Sequence, residues 1–282
     1  LQHNAVEPGR LSLGLNYEYE FLTDPLDGAR EIPNVNRERT NNSAASLLVS
    51  YGLSKSFSVL AVFPHRTVTN EKILFRGQDK AQYDGGKYIR HASGWGDALL
   101  LLNYVLPQIK HLPAIQAGGG VKLANGSTEA TDIYGRRFSD NLQIGSGSVD
   151  PVFALSLAQN VSRFVVSAGA FTRLSMRENI YGYKYGNELH AVLAVDYAGS
   201  GLFYAGLRLN YMFTTRDRYE YGKITRERGG KWIYLAPKLG FKILPSWDFE
   251  VNVPAAVYQN VNESQLTSSY QLQINTVYHL SL

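Results

Sequence analysis

Asp97, Lys122, Asp150, Arg173 and Glu188 alternate strictly in sign, and each stands near one end of a strand-like segment. A row of opposite charges at that spacing can do one of two things. It can pair into a lattice that closes a wall, or it can form a constriction that orients a dipolar or ionic solute. Other chemistry is thinly represented. The six histidines (His3, His65, His91, His111, His190, His279) are scattered without a His-x-x-x-His or other tight ligand cluster, so neither a metal nor another cofactor is expected. The absence of cysteine removes disulfides, thiolate metal sites and covalent haem attachment.

The elements that must position these charges follow from a period of two. From Leu11 to Phe21 every odd residue is apolar (Leu11, Leu13, Leu15, Tyr17, Tyr19, Phe21), while the even ones include Asn16, Glu18 and Glu20. Such alternation places the two sets on opposite faces of a strand. Twelve segments are predicted as strands: 10–22, 42–53, 56–66, 94–106, 113–124, 147–159, 162–175, 186–198, 201–214, 231–243, 246–258 and 266–282. Their connections are alternately long (23–41, 67–93, 125–146, 176–185, 215–230, 259–265) and short. Strands near ten residues suit a tilted crossing of ~30 Å of hydrocarbon better than the ~5–6 residues common in soluble sheets. The predicted fold is all-β, a transmembrane antiparallel up-and-down β-barrel of twelve strands. It forms a single domain over 1–282, with 1–9 as a periplasmic N-terminal segment and both termini periplasmic.

Composition agrees. Mean hydropathy is −0.21, and no run of ~20 apolar residues suggests a membrane helix. A barrel needs apolar atoms only on its outer face. Nineteen Tyr and twelve Phe against two Met suit aromatic girdles at the membrane boundaries. A net charge of +4 over 282 residues gives no argument for nucleic acid. Leu1-Gln2-His3 reads as the start of a chain whose signal peptide has been removed, which predicts a bacterial outer-membrane location.

Register then assigns faces. Tyr17, Leu100, Leu155, Leu193, Leu209, Phe241 and Val251 are predicted to face lipid. Besides the charge row, Glu18, Glu20, His190, Asp196, Arg208, Lys238, Lys242, Asp248 and Glu250 are predicted to face the lumen. In lipid a midplane Lys or Arg costs ~2–4 kcal/mol. Leu48, Leu60, Val62, Leu99 and Leu101 also fall on lumen positions. An apolar wall there either packs against an inward segment or gives an amphipathic solute a surface to slide along. Pro237 and Pro254 lie inside predicted strands and imply a bulge or break at each.

Four segments carry a resemblance. Gly94-Trp95-Gly96-Asp97 is similar to a Gly-x-Gly-Asp strand start, and Leu123-Ala124-Asn125-Gly126-Ser127-Thr128 to a Leu-Pro-Thr-Gly-Ser-Thr loop start. Leu142 to Pro151 resembles a Leu-Gln-x-Gly-Thr-Gly-Ser-x-Asp-Pro segment, and Tyr181 to Gly186 resembles a Gly-Tyr-x-Tyr-Gly segment. Together they resemble the outer-membrane β-barrel family known as the meta-pathway phenol-degradation protein or transporter. Ala124-Asn125 and Val149 depart from its pattern. The resemblance implies a barrel that passes aromatic or other small solutes.

An enzyme of the same outline, outer-membrane phospholipase A, needs a His-x-Ser pair on the lipid face. Here His91-Ala92-Ser93 precedes a strand, and His279-Leu280-Ser281 turns toward the lumen, so catalysis is not expected. The expected function is a porin-like channel passing small, aromatic or amphipathic solutes by passive diffusion. The alternative is a barrel scaffold, a partner subunit of an outer-membrane or extracellular assembly, with its protein partner at a rim. The remaining expected partners are outer-membrane lipid, lipopolysaccharide and a small-molecule solute.

Overall fold

The computed structural model describes residues 7–73, 86–107, 109, 112–197, 202–219, 222–225, 227–244 and 246–281 of the chain. Twelve strands run antiparallel in chain order. They are β1 (Arg10–Asp27), β2 (Arg39–Gly52), β3 (Phe57–Ile73), β4 (Lys87–Trp95, then Leu99–Val105 after a break) and β5 (Ala114–Lys122). They continue as β6 (Asp150–Val161), β7 (Phe164–Arg173), β8 (Glu188–Tyr197) and β9 (Phe203–Thr214). The last three are β10 (Gly230–Leu244), β11 (Trp247–Asn252, then Ala255–Val261) and β12 (Ser264–Ser281). Each pairs with its neighbour, and β12 returns to β1 from Arg10↔Ser281 to Asp27↔Ser264, closing the sheet. Closure is what a membrane demands, because hydrocarbon offers no partner to an open edge. Among the described residues no helix is long and apolar enough to cross a membrane.

Side chains alternate as the period of two requires. Leu15, Leu100, Leu155, Leu193, Leu207 and Leu239 stand exposed on the outer face. On β7, where Phe164, Val165 and Val166 run together, Phe164 and Val166 are outward and Val165 is the less exposed residue between them.

The wall is uneven. At ~3.3 Å per residue and ~40° tilt, the eighteen residues of β1 and of β12 reach ~45 Å. The nine of β5 and the ten of β8 reach only ~25 Å, the height of the apolar band. The excess lies on the long-loop side, extracellular by the asymmetry of bacterial barrels. Strands therefore occupy much of what the sequence reading assigned to loops. β3 runs up to Ile73 and β4 begins at Lys87, with 74–85 outside the described residues, so His91 and Ser93, expected to precede the strand, stand within it and meet Thr69 and Thr67 on its outer face, not each other. The expected long connection 259–265 is in fact a tight turn at Asn262 and Glu263, Glu263 taking φ 55°. The expected N-terminal segment falls mostly on residues 1–6, also outside the described residues.

Among the described residues two of the barrel strands are broken along their length. β4 gains a residue at Gly96–Ala98: it pairs with β3 as His65↔Trp95 above and Val62↔Leu99 below. β11 breaks at Val253-Pro254, where proline brings no N–H. Pro237 itself stays in register opposite Leu207 on β9, and its carbonyl accepts the N–H of Val253 (3.2 Å). The irregularity expected at Pro237 therefore lies across the pair, in β11. Below the break β11 pairs with β12 up to Asn252↔Gln273. Above it, Ala255–Val261 ladders with β10, and no ladder pair joins it to β12 among the described residues.

Candidate functional site: the capped lumen

Asp97 sits at the β4 break and gathers the start and end of the loop that follows β5. Its carboxylate accepts the N–H of Gly126 (2.9 Å), the N–H of Ser146 (2.8 Å) and the Ser146 hydroxyl (2.5 Å). Lys122 Nζ lies 3.0 Å from Asp97 and 3.1 Å from Asp150, and it donates to the Ser148 carbonyl at 2.7 Å. Asp150, fully buried, takes Arg173 at 2.9 Å, and Arg173 reaches Glu188 at 2.6 Å and the Gly186 carbonyl at 3.2 Å. The five charges thus form one connected chain across β4 to β8. Removing any middle member would leave like charges facing one another. His190 Nε2 stands 3.8 Å from Glu188, at the end of this chain.

Every segment that carried the resemblance converges here. Asn125 Oδ1 accepts the N–H of Ala98 at 2.7 Å. Gly126 and Gly145 pass so closely that a Cβ on Gly145 would meet the Gly126 backbone at 2.3 Å. The loop between them folds over the mouth and buries Phe138, Leu142 and Ile144 against Val68 of β3 and Ala92 of β4. Arg66, also on β3, donates to the Ile144 carbonyl at 3.1 Å. Other loops lock onto this cap. Asp140 receives Arg137 (2.8 Å) and Asn179 (3.0 Å), Arg137 stacks 3.7 Å over the Tyr181 ring, and Tyr185 donates to the Asp140 carbonyl (2.8 Å). Asp217 receives the Tyr183 hydroxyl, the Gly186 N–H (2.6 Å) and Arg228 (3.2 Å). Burial, and after it the carboxylate of Asp217, pushes the Tyr183 phenol well above its ordinary pKa. Burial and Asp140 do the same to Tyr185. These loop residues carry no strand periodicity; the repeated Gly, Ser and Tyr of the resembling segments were the one signal pointing to them.

A second ionic cluster lies deeper, on β8 to β11. Lys238 is 2.5 Å from Asp196 and 3.2 Å from Glu250, and Arg208 is 2.9 Å from Glu250. Lys238 is nearly buried and lies 5.3 Å from the centre of the Tyr204 ring. Gly206 makes room, because a Cβ there would strike the Asp196 carboxylate. Glu20 accepts from Gln271 (3.0 Å) and Asn42 (3.3 Å), while Glu18 shares its row with Ala44 and Gln273. At the periplasmic end Lys242 pairs in register with Asp248. His279 meets Ser12 at 2.8 Å and lies 3.7 Å from Asp248. Ser12 and the buried Asn252, which donates to Glu250 at 3.0 Å, escaped the sequence reading because their roles are set by cross-strand neighbours.

The apolar residues form two adjoining rows. Leu48 pairs with Val62 and Val62 with Leu99, while Leu60 pairs with Leu101. The upper row then runs straight into the charges, since Leu99 pairs with Lys122. The cap packs on Val68 and Ala92, not on these leucines. Among the described residues no group of His, Asp or Glu is placed to hold a metal ion.

Fold and lumen together define the class: an outer-membrane-type β-barrel with a loop-capped, charge-lined interior. No family model matches the chain, and no curated protein matches it. Among solved structures it is similar to the COG4313 outer membrane channel from Pseudomonas putida F1, at TM-score 0.70 and 10% identity over 97% of this chain and 96% of that one. The translocator domain of the autotransporter NalP from Neisseria meningitidis matches at TM-score 0.49 and 8% identity, over 99% and 90% of the two chains. The first likeness shows the fold.

Proposed function

We propose that this chain is a passive channel in the outer membrane of a Gram-negative bacterium, passing small amphipathic solutes, and that the clamped cap governs its extracellular mouth. The carrying observation is the junction of the leucine rows with Lys122 and its ionic chain. A solute with an apolar body and a polar end meets both surfaces at once. Burying ~100 Å² of that body contributes ~2.5 kcal/mol, enough to favour occupancy and weak enough to allow release. Aromatic acids and phenols fit this description, in keeping with the family resemblance. No step requires catalysis.

Single-channel conductance in planar bilayers tests the reading. The whole protein should conduct weakly, removal of residues 129–142 should raise conductance several-fold, and benzoate should reduce the current of both forms. A barrel that stays sealed after the cap is removed would overturn the proposal. The missing ladder between upper β11 and β12 favours a second route for the same solutes. Asn252 Oδ1 and Gln259 Oε1 on β11 are buried acceptors without a hydrogen-bond partner among the described residues. A wall lacking its hydrogen bonds is the place where an apolar solute would cross sideways into the membrane.

A further inference from the structure

The tall wall carries a sequence of layers on its outer face. At the apolar boundary His65 and Trp95 meet edge to face, with ring centres 5.5 Å apart. Above them come polar pairs: Thr67 with Ser93 (2.9 Å), Thr69 with His91 (2.9 Å), and Tyr19 with Asn41 (2.8 Å). Above these Glu71 is shared by Arg39 (2.5 Å) and Lys87 (3.1 Å), whose side chains remain about half exposed. A cleft of about 560 Å³ opens beside this ladder, between β1, the β1–β2 loop and the top of β3. Its lining includes Phe21, Thr23, Arg37, Arg39 and Lys87, and four cationic side chains there stand against two carboxylates.

Height decides what this surface meets. Lys87 lies eight residues above Trp95, or ~20 Å along the membrane normal at ~3.3 Å per residue and ~40° tilt. A phospholipid headgroup layer is only ~5–8 Å thick. An ordered, outward-facing cationic surface at that height meets membrane material only where the leaflet bears a thick layer of sugars. Lipopolysaccharide supplies that layer, and its inner core carries phosphate. We propose that the cleft beside Arg37, Arg39 and Lys87 binds a phosphorylated inner-core sugar of lipopolysaccharide, with the wall from Trp95 to Thr69 lying against its lipid A. Glu71 holds two of the cations in place. Its carboxyl, through hydrogen bonds from Arg39 and Lys87, is kept below the usual glutamate range, so it stays ionised and leaves the ladder net positive. This inference rests on the barrel's seat in an outer membrane and is independent of whether the lumen conducts.

The test is binding of purified lipopolysaccharide to the whole refolded protein in detergent, read by native mass spectrometry and by titration. The probes are lipopolysaccharide with phosphorylated inner core, the same material enzymatically dephosphorylated, and phosphatidylglycerol vesicles. The triple variant Arg37→Ala, Arg39→Ala, Lys87→Ala should bind the phosphorylated form at least ~10-fold more weakly. Lys87→Ala alone should cost ~3-fold, and it serves should the triple variant lose its folded, heat-modifiable band. Lys231→Ala removes an exposed outward lysine from the upper end of β10 and should change nothing. Equal binding of the dephosphorylated form, equal binding of phosphatidylglycerol vesicles, unchanged binding by Lys87→Ala, or an equal loss from Lys231→Ala would each overturn the proposal.

Discussion

Asp97 accepts the backbone N–H of Ser146 at 2.8 Å across 49 residues of chain, and so fastens the far end of the cap to the break in β4. Asp97→Asn keeps the shape and removes the charge. Charge-assisted hydrogen bonds contribute ~1.5–3 kcal/mol each, so losing about 2 kcal/mol should raise the population of the opened cap by a factor of ~30. Trypsin cleavage after Arg136 or Arg137 should accelerate ~10–100-fold, while the heat-modifiable band of the folded barrel stays unchanged. An equal fall in barrel stability would assign Asp97 to the wall instead.

Lys238 holds Asp196 and Glu250 apart in charge while drawing both close. Lys238→Met should destabilise the barrel by ~1.5–3 kcal/mol, because Asp196 would lose its cation and face Glu250, which would keep only Arg208. Urea unfolding in lipid vesicles, followed by tryptophan fluorescence, measures this. Adding Asp196→Asn to the same chain should recover part of the loss. No recovery would show that packing against Tyr204, not charge, is what Lys238 supplies.

The two cap phenols give a pH prediction with a fixed sign. Folding raises the pKa of Tyr183 and Tyr185, so the folded cap holds their protons more tightly than the unfolded loop does. Their stabilisation is fully present below about pH 10, the ordinary tyrosine value, and is lost as pH climbs from there toward the raised values. Amide exchange in 174–187 should therefore quicken above that pH beyond its intrinsic base dependence. Tyr183→Phe and Tyr185→Phe together should abolish the excess.

The missing ladder beside β12 predicts a route that can be pinned shut. Gln259 Nε2 reaches the Ser268 carbonyl at 3.3 Å across that gap. Cysteines at 259 and 268 joined by a short thiol crosslinker should leave ion conductance unaltered and slow the uptake of an apolar dye from vesicle lipid at least several-fold. Equal uptake with and without the crosslink would remove the sideways path.

What the sequence makes legible follows from where lipid is. Between Leu11 and Phe21 the outer face must be apolar, so the alternation is visible and the strand can be counted. Between Thr67 and Ile73 the same geometry continues above the hydrocarbon, where outward positions are Thr67, Thr69 and Glu71. With a largely polar outer face, and with Val68 set beside Asn70 and Lys72 on the inner one, the period fades and those residues read as loop. The same loss of contrast concealed Gln259 to Val261 at the top of β11 and Ser264-Gln265 at the start of β12, and turned a two-residue turn into an apparent seven-residue connection. That Asp97, Lys122 and Asp150 share a wall is a matter of counting by two. That they clamp a loop depends on Gly126 and Ser146 arriving from outside the sheet, which no periodicity records.

The unequal strand lengths also give the barrel a front and a back in the plane of the membrane. A cylinder cut obliquely has a preferred azimuth. On one side, β12 and β1 to β4 rise as a parapet above the apolar band; on the other, β5 to β8 end near its edge. Two copies meeting edge to edge are matched in height only when like sides face. Rotation about the membrane normal, which a symmetric pore leaves free of meaning, thus becomes a coordinate that changes the height of wall a neighbour meets.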